Sequence, residues 1–164
     1  MDGLLLEESV RTNGVLASLK RLSRAMFTST RRERELARGM IDTLSIQTRD
    51  ENTLVNTLSG GNQQKLAIAR LLHHDVRVLL LDEPTRGIDV GAKEEIYALL
   101  DRLRGEGRAV LMVSSYVPEL LRVCDRVAVM HRGRLAETRP TAAWDEESLI
   151  AAASGATPAE VLHG

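Results

Sequence analysis

Six consecutive residues, Val76-Arg77-Val78-Leu79-Leu80-Leu81, run almost without a polar break and end in Asp82-Glu83-Pro84. An apolar run of strand length predicts a strand of a parallel sheet, covered on both faces. Its carboxyl end is where open α/β sheets bind ligands, and two adjacent carboxylates stand there. Burying two acids at a strand end without a functional reason is costly. An aspartate in that place can hold Mg2+, usually through water, and the next carboxylate can orient and deprotonate an attacking water.

The pattern around this strand alternates between helices and strands. Apolar periodicity predicts a helix from about Ser59 to Leu72. A second follows over about Val90–Leu103, with Ile96, Leu99, Leu100 and Leu103 inward and Gly105 and Gly107 as stop signals. A strand over Ala109–Val113 then completes a βαβ unit. Pro118 opens a short helix through Leu121. Val127–Met130 is a third strand, turning at His131-Arg132-Gly133-Arg134 into an antiparallel partner, Leu135-Ala136-Glu137. A last helix covers about Asp145–Ala153, and the small-residue tail Ala156–Gly164 is expected to fray. Residues 1–57 lack a long apolar strand. There Ser9 can cap a helix carrying Val10, Leu16, Leu19 and Leu22, and a second helix runs from Thr30 to Leu44 with Leu36, Met40, Ile41 and Leu44 on one face.

At Leu58-Ser59-Gly60-Gly61-Asn62-Gln63-Gln64-Lys65, two glycines after a serine open an apolar-periodic helix. Backbone N–H groups unobstructed by side chains, with the helix dipole behind them, make an anion site best suited to phosphate. Alone, the segment reads as well as a plain N-cap with a glycine loop. Its conjunction with Asp82 and Glu83 makes the phosphate reading the stronger.

Composition removes several alternatives. Only 2% of the 164 residues are aromatic, which argues against base-stacking platforms, and a net charge of −1 removes the global attraction to nucleic acid or anionic lipid. The basic stretch between Lys20 and Arg38 is interrupted by Glu33 and Glu35 and reads as a solvated helix face. Cys124 is the single cysteine, so no intrachain disulfide or thiolate metal cluster forms, a reducing compartment is expected, and its apolar neighbours predict burial. No run approaches the ~18 apolar residues of a membrane span, and Met1-Asp2 lacks a signal peptide's basic region. His73 and His74 at a helix end, His131 in a turn and His163 in the tail read as structural residues rather than metal ligands.

Together these motifs resemble the ATP-binding cassette family of ATPases. Leu58–Lys65 looks like the family's signature motif, Val78–Glu83 like Walker B with its catalytic glutamate, and Gly87-Ile88-Asp89 like the D-loop that crosses the cassette dimer interface. Gln63-Gln64-Lys65 and Thr85-Arg86-Gly87-Ile88-Asp89-Val90-Gly91-Ala92-Lys93 are most similar to the second cassette of ribose- and galactose-type sugar importers. The likeness extends from about Gly3 to Ser154. It implies an α/β fold: a helical subdomain at 1–57, the signature helix and Walker B part of the ATPase core at 58–154, and a tail at 155–164. It also implies ATP and Mg2+ as cofactors, Glu83 as catalytic base, Asp82 at the metal, and Ser59, Gly60, Gly61, Gln63, Asp89 and Ser115 at the nucleotide. In the family, the signature serine and glycines contact the γ-phosphate of ATP held by the opposite cassette. The implied partners are therefore a second cassette, membrane permease subunits and, indirectly, a substrate-binding protein, with no nucleic acid. The implied location is the cytoplasmic face of the cell membrane.

Two departures from the family pattern shape the expectation. A P-loop needs a Gly-Lys pair, and the three lysines, Lys20, Lys65 and Lys93, follow Leu19, Gln64 and Ala92. The sequence thus resembles the C-terminal part of one cassette, a fragment or shortened reading frame without the P-loop strand. It is expected to be inactive alone and, with uncovered strands, to self-associate. The second departure is Ser115, which stands where the family carries a switch histidine. The rival reading is a catalytically silent interaction module or remnant. A third, a DNA-repair or chromosome-maintenance ATPase, lacks its coiled-coil heptads here.

Overall fold

Ser9 starts the first helix as its sequence suggests: its hydroxyl accepts the Thr12 amide at 3.1 Å, meeting one of the first-turn donors of α1 (Val10–Leu16). The structure is a computed structural model that describes residues 3–16, 23–24, 27–72 and 76–155. Leu19, Leu22, His73, His74, His163 and the tail 156–164 lie outside the described residues. Helix α1 buries Val10 and Val15, and between them Asn13 is fully buried. That amide is tolerated because both ends are paired. Its Oδ1 accepts the Leu5 N–H at 2.8 Å, and its Nδ2 donates to the carbonyls of Leu5 at 2.8 Å and Ser9 at 3.1 Å.

Strands β1 (Ser23–Arg24) and β2 (Phe27–Thr28) form a two-residue antiparallel pair before α2 (Thr30–Thr43). Helix α2 turns Ala37 and Met40 inward, and its capping residue Leu44 is also buried. A 3-10 turn at Val55–Thr57 leads into α3 (Gly60–Leu72), whose buried side presents Gly61, Lys65, Leu66, Ile68 and Ala69. Helix α1 packs on both α2 and α3. Strand β3 (Val78–Asp82), helix α4 (Val90–Gly105) and strand β4 (Ala109–Val113) follow. β3 and β4 are neighbours in one sheet, joined by the helix-length crossover that parallel neighbours need. The inward set of α4, Ile96, Leu99, Leu100 and Leu103, is at most 6% exposed, as its periodicity predicts.

The exposure of this region agrees with the uncovered strands expected of a partial cassette, rather than with cover on both faces: β3 alternates, with Leu79 and Leu81 buried and Val78 and Leu80 56% and 69% exposed. Periodicity within the run cannot distinguish one covering layer from two, because every residue is apolar either way. β4 alternates between exposed and half-buried residues, with Leu111 and Val113 exposed.

The described residues fall into two units, one through Met112 and one from Val113. The second contains α5 (Val117–Val123), with Pro118 in its first turn, then β5 (Arg126–His131) and β6 (Arg134–Pro140) in antiparallel register, and α6 (Glu146–Ser154). Its core is Val127, Val129, Trp144 and Leu149. Helix α6 begins with a reciprocal cap, Asp145 accepting the Ser148 amide at 2.7 Å and the Ser148 hydroxyl accepting the Asp145 amide at 3.1 Å. His131 closes β5 rather than occupying the turn, which is Arg132-Gly133, and its Nδ1 lies 2.9 Å from the Ala153 carbonyl. Cys124 is half-buried against this core, and burial pushes its thiol pKa up. Among the described residues, no helix is long and apolar enough to cross a membrane.

Candidate functional site

Helix α3 opens at a serine followed by two glycines. Ser59 precedes it, exposed; its carbonyl accepts the Gln63 amide at 2.9 Å, and its hydroxyl accepts the Asn62 side-chain amide at 2.8 Å. The N–H groups of Gly60 and Gly61, in the first turn, have no acceptor within their own helix. Gly60 is partly exposed and Gly61 buried. Gly61 also matters for packing, since a methyl group there would collide with the Cβ of Ala92 at the start of α4. One turn further on, Lys65 Nζ meets Glu95 Oε2 at 2.6 Å. The pairs 61 with 92 and 65 with 95 advance together, so α3 and α4 run in the same direction. Their N-termini lie side by side.

The N-terminus of α4 is capped by Asp89, whose Oδ1 accepts the Ala92 amide at 2.9 Å. This residue therefore has a local structural role as well as its place in the D-loop-like phrase. Gly87 ahead of it has φ +76°, a left-handed conformation that glycine adopts without strain. The loop starts at the carboxyl end of β3, where Asp82 is exposed and Glu83 half-buried. Glu83 is itself left-handed, at φ +46°, directly before the fully buried Pro84. A non-glycine residue held there stores strain of ~1–3 kcal/mol, and such strain clusters at functional positions. The turn is closed by the Arg86 amide on the Glu83 carbonyl at 3.1 Å and anchored by buried Thr85.

Two other residues of the sequence-based set sit differently. Gln63 directs Nε2 to the carbonyls of Val55 at 3.0 Å and Leu58 at 3.2 Å, holding the chain that leads into α3. Ser115 belongs to the second unit and is exposed in the loop after β4. Beside it, Ser114 donates to the buried Glu119 carboxylate at 3.0 Å and accepts the Tyr116 amide at 3.1 Å. Sequence reasoning missed the burial of Lys65 and the contact of Gly61 with Ala92, because both depend on a helix about thirty residues away.

The donors present match the implied cofactors in kind. Mg2+ is usually held by one or two carboxylates together with phosphate oxygens and water. Among the described residues no three His, Cys, Asp or Glu side chains gather into a metal-holding group. The exposed Asp82 carboxylate fits as one ligand of such a shared sphere. The glycine N–H groups fit a phosphate.

A strand ending in paired carboxylates and a glycine-opened helix, on an α/β core, are the elements of a partial P-loop-NTPase-like fold. Sequence comparison makes the assignment specific: the profile of the ABC transporter family matches residues 2–86. The chain belongs to that family. It is 49% identical over 154 residues to the ribose import ATP-binding protein RbsA 2 of Rubrobacter xylanophilus, covering 94% of this chain and 30% of that protein. It is 48% identical over 154 residues to the ribose import ATP-binding protein RbsA of Cereibacter sphaeroides, covering 94% of this chain and 31% of that protein. The chain thus spans less than a third of the length of these relatives. The fold is also that of a dimeric ATP-binding cassette solved in a post-hydrolysis state with ADP and Pi. There the TM-score is 0.69 at 24% identity, covering 86% of this chain and 61% of that one.

Proposed function

We propose that this chain supplies the signature-motif and Walker B part of the ATPase of a carbohydrate importer, its signature segment completing an ATP site whose P-loop lies on another cassette. The observation that carries the reading is the N-terminus of α3, with Ser59, Gly60 and Gly61, beside that of α4, with Asp89. The dipole end of α3 favours an anion and the exposed Ser59 adds a hydroxyl, whereas the α4 end is already capped by the Asp89 carboxylate. In this reading 1–57 is the helical subdomain, 58–154 the signature and Walker B part of the core, and 155–164 a tail. The names of the relatives support ribose or a related sugar as cargo. The partners we propose with it are membrane permease subunits, reached from the cytoplasmic face, with a substrate-binding protein acting through them.

ATP with Mg2+ supplies the phosphoryl group and neutralises its charge. Asp82 offers one carboxylate to the cation. At the separate site that this chain's own Walker B serves, once a P-loop half is restored to it, Glu83 would orient a water and accept its proton, a contribution typically worth ~10²–10⁴ in rate. Ser59 and the N–H groups of Gly60 and Gly61 bind the terminal phosphate presented by the opposite cassette. Gln63 positions this segment through the Val55 and Leu58 carbonyls. Ser115 stands at the switch position, offering a hydroxyl in place of an imidazole. The 164 residues contain no Gly-Lys pair, so the chain alone is expected neither to bind ATP tightly nor to hydrolyse it.

The test is association with a P-loop-bearing cassette of a ribose importer, made hydrolysis-deficient by replacing its own Walker B glutamate with glutamine. Sedimentation is compared with and without Mg-ATP. The expected result is ATP-dependent association that Ser59→Arg abolishes. Association indifferent to ATP would instead favour the silent interaction module.

A further inference from the structure

Lys65 is only 4% exposed, and lysine is almost never buried that deeply unless paired. Its Nζ donates to the Ser45 carbonyl at 3.0 Å and to Glu95 Oε2 at 2.6 Å. The two acceptors come from different segments. Ser45 lies just past the end of α2, held at φ +49°, a conformation that presents its carbonyl to the lysine but is strained for a residue with a Cβ. Glu95 lies in the second turn of α4, and its side chain is 58% exposed. The linker after α2 is fastened to α3 a second time, because the Gln47 amide donates to Asn62 Oδ1 at 2.7 Å. Lys65 stands four residues after Gly61, on the same face of α3 and one turn further from its N-terminus. Gly61 against Ala92 fixes how closely the two helices approach, and Lys65 with Glu95 fixes their register along the axis.

We propose that Lys65 is a positioning residue of the half-site: by gripping the linker after α2 and the second turn of α4 together, it sets where α3 presents Ser59, Gly60 and Gly61 beside Asp89. The inference rests on the reading of Ser59–Gly61 as a phosphate-facing half-site. Its consequence is that the end of α2 and the phosphate-facing helix ends move as one piece. Replacing the ammonium by a thioether leaves the Ser45 carbonyl and the Glu95 carboxylate without this donor, whereas arginine keeps a charge and several N–H groups.

The full chain is tested in the ATP-dependent association with the hydrolysis-deficient P-loop cassette, well below the melting temperature of every variant. Lys65→Met is expected to weaken association about tenfold, the scale found for residues that couple to a site without touching its ligand. Glu95→Gln weakens it less, and Lys65→Arg restores most of it. The Gly60 and Gly61 amide resonances shift in Lys65→Met, while the indole of Trp144, in the other unit, does not; a merely structural loss would lower the melting temperature without moving the association constant of the folded protein. Should Lys65→Met fail to fold, Glu95→Gln, altered at an exposed side chain, and Lys65→Arg decide the matter. Wild-type affinity in both Lys65→Met and Glu95→Gln, or in Glu95→Gln alone where Lys65→Met does not fold, overturns the inference. A wild-type chain that ignores Mg-ATP overturns the half-site reading itself, and the inference with it.

Discussion

At the scale of single residues, Gly61 separates two roles that its motif runs together. In the proposed reading the glycine leaves room for a phosphate near the helix end, and it also lets α3 and α4 approach. In an unconstrained helix, alanine would gain ~1 kcal/mol over glycine. Here Gly61→Ala is expected to cost ~1–3 kcal/mol, because the new methyl group overpacks against Ala92. Thermal melts check this, and Ala92→Gly in the same chain should recover most of the loss; a neutral or stabilising Gly61→Ala would remove the packing role. The places of Ser59 ahead of α3, of Asp82 and Glu83 at the end of β3 and of Asp89 ahead of α4 were legible in the sequence, because element ends follow local spacing, while their roles at a nucleotide are proposals. Lys65 and Asn13 were not, since a buried polar side chain is recognised by the partners it finds, and those partners are set by tertiary structure.

Among the elements, α2 is tied to the segment ahead of the 3-10 turn by an ion pair that periodicity could not reveal. Glu51 Oε2 and Oε1 meet Arg38 Nε and its terminal nitrogen, each at 3.2 Å, with Arg34 Nε at 3.9 Å. The Glu51 side chain is 5% exposed, and the hydrogen bonds from Arg38 hold its carboxyl below the usual glutamate range. A carboxyl with a lowered folded pKa stabilises the fold above its unfolded value of about 4.3, and that contribution is lost as the pH falls through the lowered value. Denaturant melts from about pH 6 to about pH 3 should therefore show a fall in stability that Arg38→Met flattens. An equal slope in both proteins would deny the pair a role. The helix and strand ranges themselves were largely legible: α4 keeps its inward set, and β4 occupies the expected residues. The exposed face of β3 was not, because an unbroken apolar run carries no mark of how many layers cover it.

For the whole molecule, the central claim is that the chain holds a half-site and no complete one. In the proposed reading Asp82, Glu83 and the glycine-opened end of α3 serve ATP sites whose Gly-Lys phosphate cradle is not in these 164 residues. Coupling between a half-site and a nucleotide bound elsewhere is reciprocal: if ATP strengthens association, association must strengthen ATP binding by the same factor. The most direct measurement is isothermal titration of Mg-ATP into the chain alone, into the hydrolysis-deficient P-loop cassette alone, and into their mixture. The predicted result is no low-micromolar binding by the chain alone and, in the mixture, an affinity at least about fivefold tighter than that of the cassette by itself. Low-micromolar binding by the pure chain, or a mixture indistinguishable from the cassette alone, would contradict it.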